Sequence, residues 1–181
     1  MTVAGSALQF TAELPAGWAP FEFGGGRDGE PEGMAFFVSL VDNTFADPCA
    51  HVERSPKVGS TVEALAAALG EIPTTTATQP VQTTLAGNAA TYIELTIPAS
   101  PPCNPEEFYL WQDSPDAYWW ALAPNELIRV WILEVGGQRV AMANRSRPGT
   151  SEAVKTELQG ILDSLVFEVT STQPSPTPAA S

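Results

Sequence analysis

From Ile128 to Val169 the hydrophobic pattern reads as one continuous unit. IRVWILEV is a strand, Gly136-Gly137 a two-residue turn, QRVAMAN a returning strand, SEAVKTELQGILDSL a helix and VFEV a last strand. A Gly-Gly pair between apolar runs is a strong hairpin signal, because both central residues can take positive φ without a Cβ penalty. Such a turn places Glu134 opposite Arg139, Ile132 opposite Ala141 and Trp131 opposite Met142. The first is an opposite-charge cross-strand pair. Both faces of IRVWILEV are largely apolar, which predicts a central strand with a layer packed on each side. In the helix, Val154, Leu158, Ile161, Leu162 and Leu165 share one stripe and can cover one of those faces. An earlier helix and long loops must cover the other.

The rest of the chain supplies that second layer. LQFTAELP reads as a first strand ended by Pro15, the stretch Gly24 to Gly33 as a Gly- and acid-rich loop, and MAFFVSLV as a strand. Ser60-Thr61-Val62-Glu63 matches a capping box, after which Val62, Leu65, Ala66 and Leu69 recur at helical spacing. Val81 to Leu85 and Ala90 to Ile97 flank Ala86-Gly87-Asn88 as a second hairpin, with Ile93, Leu95 and Ile97 alternating with Glu94 and Thr96. Glu107 to Trp111 and Ala117 to Leu122 are further strands around the turn Asp113 to Asp116. The predicted class is α+β: a single-domain α/β/α sandwich with a central, mainly antiparallel sheet and two main helices. Residues 1–170 form the domain. Residues 171–181, STQPSPTPAAS, have no apolar face and are expected to be a disordered tail or stalk.

Composition fits one folded domain: 181 residues, 44% hydrophobic and 16% charged. The net charge of −13 opposes binding to nucleic acid or to an anionic membrane surface, both of which select Lys and Arg. No run approaches the length of a membrane span, and Met1 to Ser6 lacks the basic and apolar regions of a signal peptide. Two compartments follow as alternatives: the cytoplasm, or an extracytoplasmic site for a domain secreted or anchored through a longer precursor. The two cysteines, Cys49 and Cys103, are far apart and fit neither a CxxC redox motif nor a local zinc pair. Both sit in Pro-flanked, loop-like contexts. Joined, they would contribute on the order of 4 kcal/mol by chain entropy; two unrelated buried thiols fit the residues as well.

LPAGW, FADPC, YIELTIP, RVWILEVGGQRVAM and PGTSEAVKTELQGILDSLVF, in this order, resemble the PsbP-like α/β/α sandwich. The likeness is closest to its actinobacterial branch of secreted or membrane-anchored domains, which includes the LpqN-type lipoproteins, and it spans most of Gln9 to Phe167. It implies a small non-catalytic interaction or accessory module working outside the cytoplasm, and a disulfide between Cys49 and Cys103. The chain departs from the exported members in showing neither signal peptide nor lipobox.

Candidate chemistry is sparse. Gly24 to Gly29 formally matches GxGxxG, but Glu30-Pro31-Glu32 follows where a dinucleotide site needs a helix N-terminus. Asp28, Glu30 and Glu32 lack the spacing of an EF-hand, so a solvated acidic loop is the ordinary reading. His51 is the sole histidine; a hydrolase would have to use it as base, yet no GxSxG elbow accompanies it. Glu106 and Glu107 would point to opposite faces of a strand, which is poor geometry for a shared acid/base pair. Asn144-Arg145-Ser146 is a formal glycosylation sequon of little weight. No metal and no cofactor are expected, and the chain is read as not an enzyme.

Two features point instead to binding. Arg145 and Arg147 precede the last helix, whose N-terminus at Thr150 and Ser151 offers free N–H groups for an anion; local charge balance is the plainer alternative. Phe108, Tyr109, Trp111, Tyr118, Trp119 and Trp120 fall in one short segment, and Trp119 and Trp120 must face opposite sides of a strand. Most of these rings serve a core, but a partly exposed one is a typical interface anchor. The leading expectation is an interaction module for an unidentified protein or cell-envelope component. The alternative is a carrier of a small apolar ligand held between sheet and helix, and a hydrolase using His51 comes third.

Overall fold

A computed structural model of the chain describes residues 8–27, 35–114 and 117–169. In chain order it contains β1 (Leu8–Thr11), β2 (Trp18–Phe21), β3 (Gly24–Arg27), β4 (Ala35–Ser39), β5 (Asn43–Asp47), β6 (Val52–Glu53) and α1 (Val62–Gly70). There follow β7 (Thr76–Ala77), β8 (Val81–Leu85), β9 (Asn88–Thr96), β10 (Tyr109–Ser114), β11 (Ala117–Trp120), β12 (Leu127–Val135), β13 (Gln138–Ser146), α2 (Glu152–Asp163) and β14 (Val166–Val169). The main sheet runs β2-β3-β4-β13-β12-β9, with β7 and β8 both paired to the outer edge of β9. A small sheet runs β11-β10-β5-β6, and β1 pairs with β14 as a separate ribbon.

The centre of the fold is the β12–β13 hairpin, in the register set by its Gly-Gly turn: Val135 opposite Gln138, Ile132 opposite Ala141, Trp131 opposite Met142. Side chains of β12 alternate between two cores, as a strand period of two requires. Trp131, Leu133 and Val135 pack with Val154, Leu158, Ile161 and Leu162 of α2. Ile128, Val130 and Ile132 pack with Leu65, Ala66 and Leu69 of α1 and with Leu110 and Trp111 of the small sheet. The second layer is therefore one short helix beside a small sheet, where long loops were expected. The fold is the predicted α+β sandwich.

Local differences from the sequence reading have identifiable causes. Thr61, one residue later than the capping box places it, caps α1 by accepting from Ala64 N at 3.1 Å. Glu134 and Arg139 are opposite in register, but Arg139 turns its guanidinium to the carbonyls of Val41, Gly59 and Thr61. Three acceptors offer more than one exposed carboxylate, so the charge pair does not form. The second hairpin turns on Ala86-Gly87 alone, both at positive φ (49° and 75°).

The Gly24 stretch is strand up to Arg27. A Cβ on Gly24 would lie 2.1 Å from the Phe36 carbonyl oxygen, and one on Gly25 would lie 2.7 Å from the Phe36 ring. Glycine here permits the close approach of β3 to β4. Asp28, Glu30, Glu32 and the tail 171–181 lie outside the described residues.

Candidate functional site

The small sheet sorts its aromatic side chains by strand alternation. Trp119 faces inward, stacked on Phe37 at 3.8 Å and 3°, edge-on to Phe23 at 5.3 Å, with Nε1 donating to Asp113 Oδ2 at 2.8 Å. Trp111 and Phe108 are wholly buried in the same core. These three rings are packing residues and are removed from the expected interface. The physical reason is that the inward face of the small sheet packs on the main sheet, whose core takes up these rings.

The outward rings form a different object. Tyr118 and Trp120 flank Trp119 and share the outer face, where Trp120 is 40% exposed. Tyr109, half-buried on β10, stacks parallel to Tyr118 with centroids 5.3 Å apart. His51, on the loop before β6, stacks on Tyr109 at 3.8 Å and 6°, and Trp120 lies 6.5 Å from Tyr109 at 42°. Phe45 supports Tyr109 and Tyr118 from below, itself buried. The outcome is a slab of rings on the outside of the domain.

Two constraints hold this slab in place. Cys49 and Cys103 are joined, with Cα atoms 5.8 Å apart, within the usual disulfide range. The bond fixes the loop that carries His51, and Tyr109 N donates to Pro48 O at 3.2 Å across the same junction. At the other end, the buried Arg145 binds the buried Glu126 through Nε to Oε1 and Nη2 to Oε2, both 2.8 Å, and also donates to the Trp120 carbonyl at 2.6 Å. Glu126 Oε2 further accepts from Leu122 N at 2.8 Å. Arg145 therefore anchors the exit of β11.

That placement takes Arg145 out of the predicted anion site. Arg145 shares a sheet face with Ala141 and Ala143, on the α1 side, whereas α2 begins on the opposite side. Thr150 is buried and its Oγ1 accepts from Arg147 N, while Ser151 caps α2 by accepting from Val154 N. Arg147, Thr150 and Ser151 stay together at the start of α2, and Arg145 is not among them. The sequon fails for a related reason: Asn144 is buried within β13.

Other candidates resolve similarly. Glu106 and Glu107 lie in a 3-10 turn, Pro105–Glu107, and both are exposed, so strand alternation does not apply to them. His51 is exposed and its Nε2 lies 3.1 Å from the Glu107 carbonyl. A carbonyl can only accept, so this contact is a hydrogen bond in the tautomer that carries its hydrogen on Nε2, with Nδ1 then holding the lone pair. Cys49 is oxidised and offers no thiolate.

One titratable group lay outside the sequence reading. Burial pushes the Asp113 carboxyl up from the ordinary 3.8 to about 6, against the opposing effects of the Trp119 bond and the nearby Ser39 hydroxyl. Nothing in the run WQDSPD marks that burial, because it depends on the main sheet packing over it.

A groove of about 690 Å³ opens between β8 and the C-terminal half of α2, with Leu85, Tyr92, Trp131 and Leu162 beside Gln82, Thr84, Gln159 and Asp163. Among the described residues no helix is long and apolar enough to cross a membrane.

No family model matches the chain, and no curated protein does. Three chains among solved structures match. One is the crystal structure of LpqN, described as involved in cell envelope biogenesis of Mycobacterium tuberculosis, which is 9% identical and has a TM-score of 0.46 over 92% of this chain and 88% of its own.

Proposed function

We propose that this chain is a non-catalytic interaction module of an oxidising, extracytoplasmic compartment, docking a protein or cell-envelope component through the outer face of its small sheet. The observation that carries this reading is the stack of exposed His51 on half-buried Tyr109 and Tyr118, with exposed Trp120 beside it, on a surface cross-linked by a disulfide. Aromatic rings fixed in place lose little entropy on binding and are frequent hot spots. A disulfide persists in secreted or envelope compartments and is rare in a reducing cytosol. The sequence resemblance to envelope-associated domains supports an envelope component as the partner.

The test is capture from an envelope fraction by parent and Trp120→Ser proteins of equal stability, followed by rebinding of the captured species with purified components. The reading expects a species retained by the parent and lost with Trp120→Ser. Equal capture by both proteins would move the interface away from this sheet.

A carrier of a small ligand is the second reading, favoured by the groove between β8 and α2. Its mixed lining suits an amphipathic ligand better than a purely apolar one. Quenching of Trp131 fluorescence by a bound probe would support it.

A further inference from the structure

We propose that the aromatic face takes a cationic, arginine-bearing segment of a partner protein. This rests on the interaction reading above and gives it a partner class. Trp120 is the exposed ring among the six aromatic residues from Phe108 to Trp120, and its 42° tilt from Tyr109 leaves it outside the parallel slab. An indole face is the best side-chain acceptor for a guanidinium, which stacks on it as well as being attracted by its charge.

Carboxylates rim the same surface. Glu106 and Glu107 directly precede the Phe108-Tyr109 segment and are exposed, and the Glu107 carbonyl meets His51. On the other flank Asp47 and Glu53 bracket the His51 loop and are also exposed. The basic side chains of this region are engaged elsewhere: Arg54 with Glu71, Lys57 with Asp42, and Arg145 buried on Glu126. The local field is thus that of the whole chain, whose net charge is −13. Such a field steers a cationic partner and repels an acidic one. A neutral glycan could stack on the rings and donate hydroxyl hydrogen bonds to the carboxylates, but it would gain no attraction between net charges.

Calorimetric titration of the oxidised protein with three probes tests this: an arginine-containing peptide, the same peptide with citrulline for arginine, and a neutral oligosaccharide. The arginine peptide should bind at least about tenfold tighter than the citrulline peptide, and its binding should weaken with added salt. Trp120→Ser and the double change Glu106→Gln, Glu107→Gln should each weaken it at least about fivefold, with unchanged melting temperature. Equal binding of both peptides, or arginine-peptide binding indifferent to Trp120→Ser, would overturn the proposal. So would binding of the oligosaccharide alone. If the arginine peptide fails while Trp120-dependent capture persists, the cationic class is wrong and the interaction reading stands; if both fail, both fall.

Discussion

The imidazole of His51 lies parallel to the phenol ring of Tyr109, 3.8 Å between centroids and 6° from coplanar. One residue belongs to a loop after β5 and the other opens β10, and the Cys49–Cys103 bond joins those two regions. The contact is therefore only as well defined as the cross-link that brings its two segments together.

Opening that cross-link should have two consequences. The paired change Cys49→Ser, Cys103→Ser should lower stability by up to about 4 kcal/mol, since the bond closes a loop of 54 positions. It should also weaken the near-ultraviolet circular dichroism of the stacked tyrosines more than the far-ultraviolet signal. A urea midpoint equal to the parent's would show the bond to be dispensable.

Arg145 and Glu126 form a buried ion pair that also carries the Trp120 carbonyl and the Leu122 amide. Arg145→Met alone should cost about 3–5 kcal/mol, because it leaves a carboxylate buried without its partner. Adding Glu126→Leu should restore part of that loss. Strictly additive losses in a double-mutant cycle would contradict direct coupling.

The hairpin and α2 were legible because local rules govern them: a Gly-Gly turn, a period-two strand and a five-residue apolar stripe. The outer layer was legible only in part. Short strands such as β5, β6 and β7 carry too few residues for a period to show, and β3 hides within a glycine run that suggests a loop. For the aromatic segment, alternation correctly put Trp119 and Trp120 on opposite faces. Which face meets solvent depends on where the small sheet docks, and that is a tertiary fact. Arg145 was misread because its sequence position, next to the α2 N-terminus, says nothing about the side of β13 it occupies.

Asp113 should make stability depend on pH. Its carboxyl is raised in the folded state from 3.8 to about 6, chiefly by burial. The folded protein thus holds a proton that the unfolded chain has released. The associated stability is fully present below about pH 4 and is lost as pH rises through about 6. The difference is of order 3 kcal/mol for a shift of this size. Asp113→Asn, which can still accept from Trp119, should flatten this window and stabilise the protein at pH 7. An unchanged pH profile of the melting temperature would place the ionisation elsewhere.

Leu162 is wholly buried on the face of α2 that meets the sheet. Leu162→Ala should cost about 2–5 kcal/mol in urea unfolding. Gln159→Ala, on the exposed side of the same helix, should stay within about 0.5 kcal/mol of the parent.

The most direct test of a non-catalytic aromatic face separates the ring of His51 from its nitrogens. A strain lacking the gene would be complemented with the parent, His51→Phe or Trp120→Ser chain, each verified as folded by its melting temperature. His51→Phe keeps a flat ring against Tyr109 and removes any acid or base, so it should restore function, while Trp120→Ser should not. Loss of function with His51→Phe, alongside full function with Trp120→Ser, would contradict the account and return the imidazole to a catalytic role.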